Sequence, residues 1–319
     1  MISGKKAVYY ICNEEKRQGL VSSMVWEILS EKGMFAPADI TFDGRKVMMH
    51  KDARENIYYF VPTEVPVCWD YTKYLPEMNK YFDDCDMAGM VTWHEGGSAP
   101  PKVLTVHSIG DVNSGVYGPI NPEYMRNLLL ALERNRIELK LDEYKTVTEA
   151  THWSGTAVTG SSPQLILQYP VPMVDIEVGS VEESWTDCTA CTALANALTE
   201  VFNGDGKNIH NVLCVGGVHF DPNFADAVFA EWDGEAFGIS HIIANQWLVS
   251  GEYEGEQGLD FAANAAEAIK GGIEIIAFHD KMKGCYKDLV RSLGEKYNVP
   301  ILKHQRLRNP KDIESLFMF

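Results

Sequence analysis

Four of the nine histidines occupy one kind of place in the chain. His94 closes "MVTWH" ahead of "EGGS", and His107 closes "VLTVH" ahead of "SIGD". His152 closes "TEATH" ahead of "WSG", and His219 follows "LCVGGVH" ahead of "FDP". Each leaves an apolar, strand-like run close to Gly, Ser or Pro. In α/β sheets, sites assemble at the carboxyl ends of strands, where loops converge. If these strands are neighbours, four imidazoles point into one crevice. Neutral imidazoles with a carboxylate form a normal catalytic zinc set that leaves one coordination position open. His94, His107, His152 and His219 are therefore the candidate metal ligands, and zinc the candidate cofactor. For any single histidine, a hydrogen-bonded packing role is the competing reading. The shared context favours the cluster, because ligand sets are assembled from separate elements.

Acidic residues and glycines stand beside these histidines. Glu149 lies three positions before His152. It can serve as a ligand, as the orienter of a histidine, or as a general base. On a flat strand residues i and i+3 face opposite ways, so the pair requires a bulge or turn before Trp153. Glu177 in "VDIEVGS" is expected at a strand end, just before a helix starting at Ser180 whose N–H groups can meet an anion. A structural ion pair is its plainer role. The Gly216-Gly217 turn either admits a ligand close to the backbone or is simply tight. No GxGxxG, GxxxxGK[ST] or GxSxG occurs, so phosphate cradles of those types and a nucleophile elbow are unsupported. Cys188 and Cys191 form a CxxC without a second pair, which reads as small buried residues inside a helix rather than a zinc ribbon.

The elements that must position these residues alternate strand and helix. Segments 6–12, 56–61, 86–93, 102–107, 211–217, 236–243, 273–279 and 299–304 read as strands. Leu20, Met24, Val25, Ile28 and Leu29 mark a helix over 17–32. Asn121-Pro122-Glu123 starts another, with Met125, Leu128, Leu129 and Leu132 as its apolar stripe. Ser180 and Glu183 read as a capping box for a long helix to about Phe202. Helices are expected over 259–270 and 285–297, with a short one from Pro310. Asp43-Gly44 signals a hairpin. The pattern predicts an α/β fold with a mixed, largely parallel sheet and helices on both faces. It reads as a single domain over 1–319, with residues around 1–85 able to form a smaller lobe.

Bulk properties narrow the function. The 319 residues are 45% apolar and 23% charged, with no run near the length of a membrane span. The mean hydropathy is −0.17. Seven cysteines, an odd number without a secretory leader, point to reduced thiols and a cytoplasmic protein. The 28 basic and 45 acidic residues leave a net charge of −17, which argues against a large phosphate-tracking surface. The one basic cluster, Lys303, Arg306, Arg308 and Lys311, reads as a solvated strand end.

The histidine segments, in this order, resemble the archaeal and plant type of D-aminoacyl-tRNA deacylase. The pieces that carry the resemblance are "TWHEGGSAPPKVLTVHSIGD", "TEATHWSG", "DIEVGSVEESW", "LCVGGVHFDP" and "FGISHII", with weaker likeness at "FDG" and "KMKG". The resemblance implies a phosphorylase or peptidyl-tRNA-hydrolase-like α/β fold. It also implies zinc-dependent hydrolysis of the ester joining a D-amino acid to tRNA, in the cytoplasm. By position, His94, His107, Glu149, His152, Glu177, His219 and His241 match motif residues, so Glu149, Glu177 and His241 are the candidate catalytic groups. Trp153 stands where the family often has a second histidine. Asn245 lies near where a lysine is expected after His241. With Gly216 and Gly217, these two are candidate substrate contacts. Two other readings remain: a metal-dependent hydrolase of a small acyl or amide substrate in a biosynthetic pathway, which the acidic charge favours, and a non-catalytic binder that kept the crevice. The sequence does not set the oligomeric state, and no membrane association is expected.

Overall fold

The structure, a computed structural model, describes residues 4–12, 20–96, 99–154, 158, 160–310 and 313. In chain order the strands are β1 (Lys6–Cys12), β2 (Ala36–Phe42), β3 (Arg45–Lys51), β4 (Ile57–Thr63), β5 (Met87–Glu95), β6 (Lys102–Ser108), β7 (Gly110–Asp111) and β8 (Val116–Tyr117). They continue with β9 (Lys145–Thr148), β10 (Met173–Ser180), β11 (Asn208–Val215), β12 (Glu235–Ile243), β13 (Ile275–Phe278) and β14 (Ile301–Lys303). The fold is α/β with mixed, mostly parallel sheets, as the alternating pattern implies. The chain forms two compact units: Met1–Val106 with Asn127–Thr146 and Ser154–Asn203, and His107–Arg126 with Val147–Trp153 and Gly204–Phe319.

The first unit is built on the sheet ordered β2-β3-β4-β1-β5-β10-β6-β9. Its central strands β4, β1, β5 and β10 are parallel. All residues of β1 after Lys6, and every residue of β10, are buried. That continuous burial is what a strand covered on both faces requires. The β2–β3 hairpin turns at Asp43 (φ 48°) and Gly44 (φ 71°), the left-handed pair that a two-residue hairpin needs.

One helix departs from the sequence reading. Ser180 does not cap a long helix. It ends β10, and its Oγ contacts His94 Nδ1 at 2.9 Å and donates to the Pro100 carbonyl at 3.0 Å. A single helical turn, Glu182–Trp185, follows instead. Asp187 then caps a separate helix, Cys188–Leu198, by accepting from the N–H groups of Thr189 (2.9 Å) and Ala190 (3.2 Å). The Asp187 carboxylate caps through Oδ1 while Oδ2 accepts from the Tyr144 hydroxyl at 2.9 Å, whereas the Ser180 hydroxyl is spent elsewhere. The CxxC thus opens a helix: Cys188 is exposed at its first residue and Cys191 buried one turn on.

The second unit carries a parallel sheet ordered β12-β11-β13-β14 and the small antiparallel ladder β7–β8. Helices Pro222–Val228, Asn245–Ser250, Gly258–Glu267 and Gly284–Tyr297 belong to it. The one-turn segment His304–Arg308 precedes Pro310, and the helix expected from Pro310 lies largely outside the described residues. Among the described residues, no helix is long and apolar enough to cross a membrane.

Candidate active site

The ladder of β9 stops at Thr148, and the next four residues leave it. This is the turn that the Glu149–His152 spacing demanded. The segment is held by backbone bonds: Ala150 N–H donates to the His219 carbonyl (2.9 Å), Thr151 N–H to the Ile242 carbonyl (3.0 Å), and Gly110 N–H to the His152 carbonyl (3.2 Å). Beneath it lies a buried hydroxyl–imidazole knot. Ser108 Oγ is 2.7 Å from Thr151 Oγ1 and 2.9 Å from His241 Nδ1, and Thr151 Oγ1 is 3.2 Å from the same nitrogen. Ile242 N–H donates to Thr151 Oγ1 at 2.9 Å.

His241 sits in the middle of this knot. Its Nε2 is 3.2 Å from the Gly118 carbonyl, so that nitrogen carries the proton and Nδ1 accepts from the hydroxyls. Burial pushes its pKa down to about 3, against the opposing pull of the Gly118 carbonyl. The ring is a fixed neutral strut. It fastens the residues next to His107 (Ser108) and next to His152 (Thr151).

Above the knot, three imidazoles converge on one carboxylate oxygen. Glu149 Oε1 lies 3.2 Å from His219 Nε2, 3.4 Å from His152 Nδ1 and 3.6 Å from His107 Nε2. The side chains of His107 and Glu149 are 0% exposed, whereas His152 is 18% and His219 20% exposed. The His107 and His152 rings stack at 3.9 Å, and His152 meets His219 edge-on at 4.9 Å. Trp247 lies parallel to His152 at 6.0 Å and against His219 at 5.2 Å. Phe220 stacks on His219 at 5.0 Å.

Hydrogen bonding sets the tautomers. His107 Nδ1 is 3.1 Å from the Ser108 carbonyl. A carbonyl only accepts, so Nδ1 holds the proton and Nε2 turns its lone pair towards Glu149. Two acceptors facing each other in a buried site repel unless a proton or cation lies between them. His219 Nε2 donates to Glu149, which places the basic lone pair of that ring on Nδ1.

One donor atom from each of His107, Glu149 and His152 lies within 4.8 Å of the others. Zinc–nitrogen bonds of about 2.0–2.1 Å put tetrahedral ligand atoms about 3.3–3.4 Å apart. The 3.4 and 3.6 Å separations to Glu149 Oε1 fit that spacing. His107 is already oriented as metal-bound histidines are, with its second nitrogen on a carbonyl. His152 fits once Nδ1 gives up its 3.0 Å contact with the Ala150 carbonyl.

His94 and Glu177 belong to the first unit and both are buried; His94 is next to last in β5, whereas Glu177, expected at a strand end, lies inside β10 three residues before its end. Besides its contact with Ser180, His94 accepts from Trp185 Nε1 through its carbonyl at 2.9 Å. Gly216 (φ 91°) and Gly217 (φ 78°) are buried in a left-handed turn. A Cβ on Gly217 would strike the Asp221 carboxylate, and one on Gly216 would strike Met282, so packing alone accounts for both glycines. Asn245 begins its helix with its N–H on the Gly217 carbonyl at 3.0 Å, and Trp153 is half-buried beside His152. The sequence reading missed Ser108, Thr151 and Trp247. The first two were detectable as hydroxyl residues flanking His107 and His152, whereas Trp247 carries no such signal.

A parallel α/β framework with a buried carboxylate ringed by imidazoles is the class that fold and site define. Residues 81–302 match the family model described as D-aminoacyl-tRNA deacylase, and the chain belongs to that family. It is similar to a D-aminoacyl-tRNA deacylase of Archaeoglobus fulgidus, 25% identical over 215 residues that cover 65% of this chain and 68% of the relative. A Cenarchaeum symbiosum relative of the same name is 26% identical over 162 residues, covering 49% of this chain and 56% of that one. One from Haloarcula marismortui is 29% identical over 208 residues, covering 59% of this chain and 41% of its own length. The matches to the latter two thus span well under two thirds of those relatives. The crystal structure of a conserved protein of unknown function superposes with a TM-score of 0.72 at 19% identity, over 97% of this chain and 98% of that one, and establishes the shared fold.

Proposed function

We propose that the protein is a hydrolase that cleaves the ester between a D-amino acid and tRNA, working at the Glu149 cluster. Family membership supports the substrate class. The observation that carries the site is the convergence of His107, His152 and His219 on a single buried carboxylate oxygen. His107, Glu149 and His152 are the residues that would hold a zinc ion. When bound there, the ion polarises the ester carbonyl and makes water more acidic.

The chain's own groups carry the proton. Glu149 holds His219 with Nε2–H inward, as a carboxylate holds a catalytic imidazole in one tautomer. His219 Nδ1 removes a proton from water as its oxygen attacks the ester carbon. The imidazolium returns that proton to the ribose oxygen as the C–O bond breaks. An aminoacyl ester is already activated, so no covalent nucleophile is needed. Trp247 and Phe220 form an apolar wall beside the more exposed imidazoles, and Trp247 is positioned to take the amino-acid side chain or the terminal base by stacking. In this reading His241 and Ser108 are positioning residues. In this reading the enzyme acts on tRNA in the cytoplasm.

The net charge of −17 favours a second reading, a small acyl ester in place of tRNA. The test compares release of amino acid from D-aminoacyl-tRNA and from the matching free D-aminoacyl ester. A preference for the tRNA substrate supports the first reading. Equal or greater turnover of the free ester supports the second.

A further inference from the structure

The second unit holds another cluster that the Glu149 site does not use. β13 and β14 pair in parallel with Phe278 opposite Lys303. One step further along each chain come His279 and His304. Register partners in a parallel ladder put their side chains on one face, and the two rings stack face to face at 4.1 Å with an interplanar angle of 3°. Asp280 follows directly. One donor atom from each of His279, Asp280 and His304 lies within 4.8 Å of the others.

The hydrogen bonding around these three leaves a particular set of atoms facing inward. His304 is 3% exposed. Its Nδ1 has no hydrogen-bond partner among the described residues, and in the Nε2–H tautomer it keeps a lone pair. Asp280 Oδ2 accepts from Gln305 at 3.5 Å, while buried Oδ1 has no hydrogen-bond partner among the described residues. His279 Nε2 faces Asp221 Oδ2 at 3.8 Å, and its Nδ1 faces Asp280 Oδ1 at 3.8 Å. The only competitor for that Nδ1 among the described hydrogen bonds is a long one, from Lys281 N–H at 3.3 Å. Two lone pairs and a carboxylate oxygen turned towards each other, with a further carboxylate behind one imidazole, form the arrangement of a metal site with its outer-shell orienter. Left empty, each unsatisfied buried atom costs about 1–3 kcal/mol.

We propose that His279 Nδ1, His304 Nδ1 and Asp280 Oδ1 form a second divalent-metal site, with Asp221 orienting His279. Two imidazoles and one carboxylate suit a first-row transition ion such as zinc, and not calcium or magnesium, which take oxygen ligands. The site shares no residue with His107, Glu149 and His152. Its role is a clip: it ties the end of the three-residue edge strand β14 to the end of β13. The basic side chains of Lys303 and Arg308 are exposed, where water screens them from the ion.

The experiment measures zinc stoichiometry of the full chain and titrates it with cobalt(II), whose visible absorption reports nitrogen and oxygen ligation. Wild type is compared with His279→Gln, Asp280→Asn and His107→Ala. Asp280 is half-exposed and its amide is isosteric, so the variant keeps its fold if the others do not. The expected result is one bound ion fewer per chain in His279→Gln and in Asp280→Asn, and loss of the zinc-dependent rise in Tm that persists in His107→Ala. Unchanged stoichiometry and spectrum in Asp280→Asn would overturn the site. Loss of a further ion in His107→Ala bears on the Glu149 cluster, while the loss in Asp280→Asn still carries this site.

Discussion

Glu149→Gln is the most informative single change, because it deletes a charge and keeps the shape. In the wild type, Glu149 Oε1 accepts from His219 Nε2 at 3.2 Å within a 0%-exposed environment. As His219 becomes an imidazolium in the proposed reaction, the carboxylate stabilises it. A full pair of charges at that distance in an effective dielectric of about 20 is worth ~5 kcal/mol at most. The lower bound is the difference between a hydrogen bond to a charged acceptor (~1.5–3 kcal/mol) and to a neutral one (~0.5–1.5 kcal/mol), about 1–1.5 kcal/mol. At 1.36 kcal/mol per tenfold, these bounds span about 10- to 10⁴-fold in rate. Full burial puts the effect in the upper part, about 10²–10⁴-fold, the usual range for general acid–base groups. The amide also has a second way to fail: its NH₂ turned towards His219 forces the proton onto Nδ1 and removes the base. Single-turnover deacylation of a D-aminoacyl-tRNA, with metal content measured on the same preparation, reads both effects. We expect kcat to fall about 10²–10⁴-fold with one bound ion lost. A kcat within about threefold of wild type, less than ~0.7 kcal/mol, would refute the assignment of Glu149.

Other outcomes follow from the same geometry. Ser108→Ala removes a hydroxyl that lies 2.7 Å from Thr151 Oγ1 and 2.9 Å from His241 Nδ1, and urea unfolding should show a loss of about 1–3 kcal/mol. Trp247→Ala should raise KM several-fold and leave kcat within about twofold, since the ring lines the site without touching the proton path. The pH dependence of unfolding should carry two histidine signatures of opposite sign. Burial lowers the pKa of His210, but its bonds to Glu274 (2.5 Å) and Glu235 (2.6 Å) outweigh burial and raise it. That stabilisation is complete below the ordinary histidine pKa of about 6.5 and is lost as pH rises through the higher folded value. His241, held down to about 3 chiefly by burial, does the reverse. Its unfolded form takes up a proton below about 6.5 that the folded form refuses, so stability falls between pH ~6.5 and ~3. Unfolding free energies against pH for wild type, His210→Gln and His241→Asn should separate the two slopes.

The sheet framework was legible in the sequence because its strands are apolar runs ending in Gly, Ser or Pro, and burial on both faces makes such runs unambiguous. The turn between Glu149 and His152 was also legible, since no flat strand brings those side chains together. What failed was competition among polar groups. Ser180 has the right residue type for an N-cap, yet its hydroxyl is spent on His94 and Pro100, so the helix breaks and restarts at Asp187. His241 matches a motif position, but only the Ser108–Thr151 knot reveals that both of its nitrogens are occupied in holding the frame. Gly216 and Gly217 read equally as ligand approach or tight turn, and their packing against Met282 and Asp221 is long-range information. Trp247 reaches the imidazoles from a helix of six residues, with no periodic pattern to mark it.

The proposed reaction is hydrolysis of D-aminoacyl-tRNA through His219, held by Glu149. Its most direct test is the release of amino acid from D-aminoacyl-tRNA and from L-aminoacyl-tRNA carrying the same residue, by wild type and by His219→Asn. Release from the D substrate is expected well above both the spontaneous rate and the L substrate, with loss of that release in the variant. Release no faster than spontaneous hydrolysis, or undiminished release by His219→Asn, would contradict it.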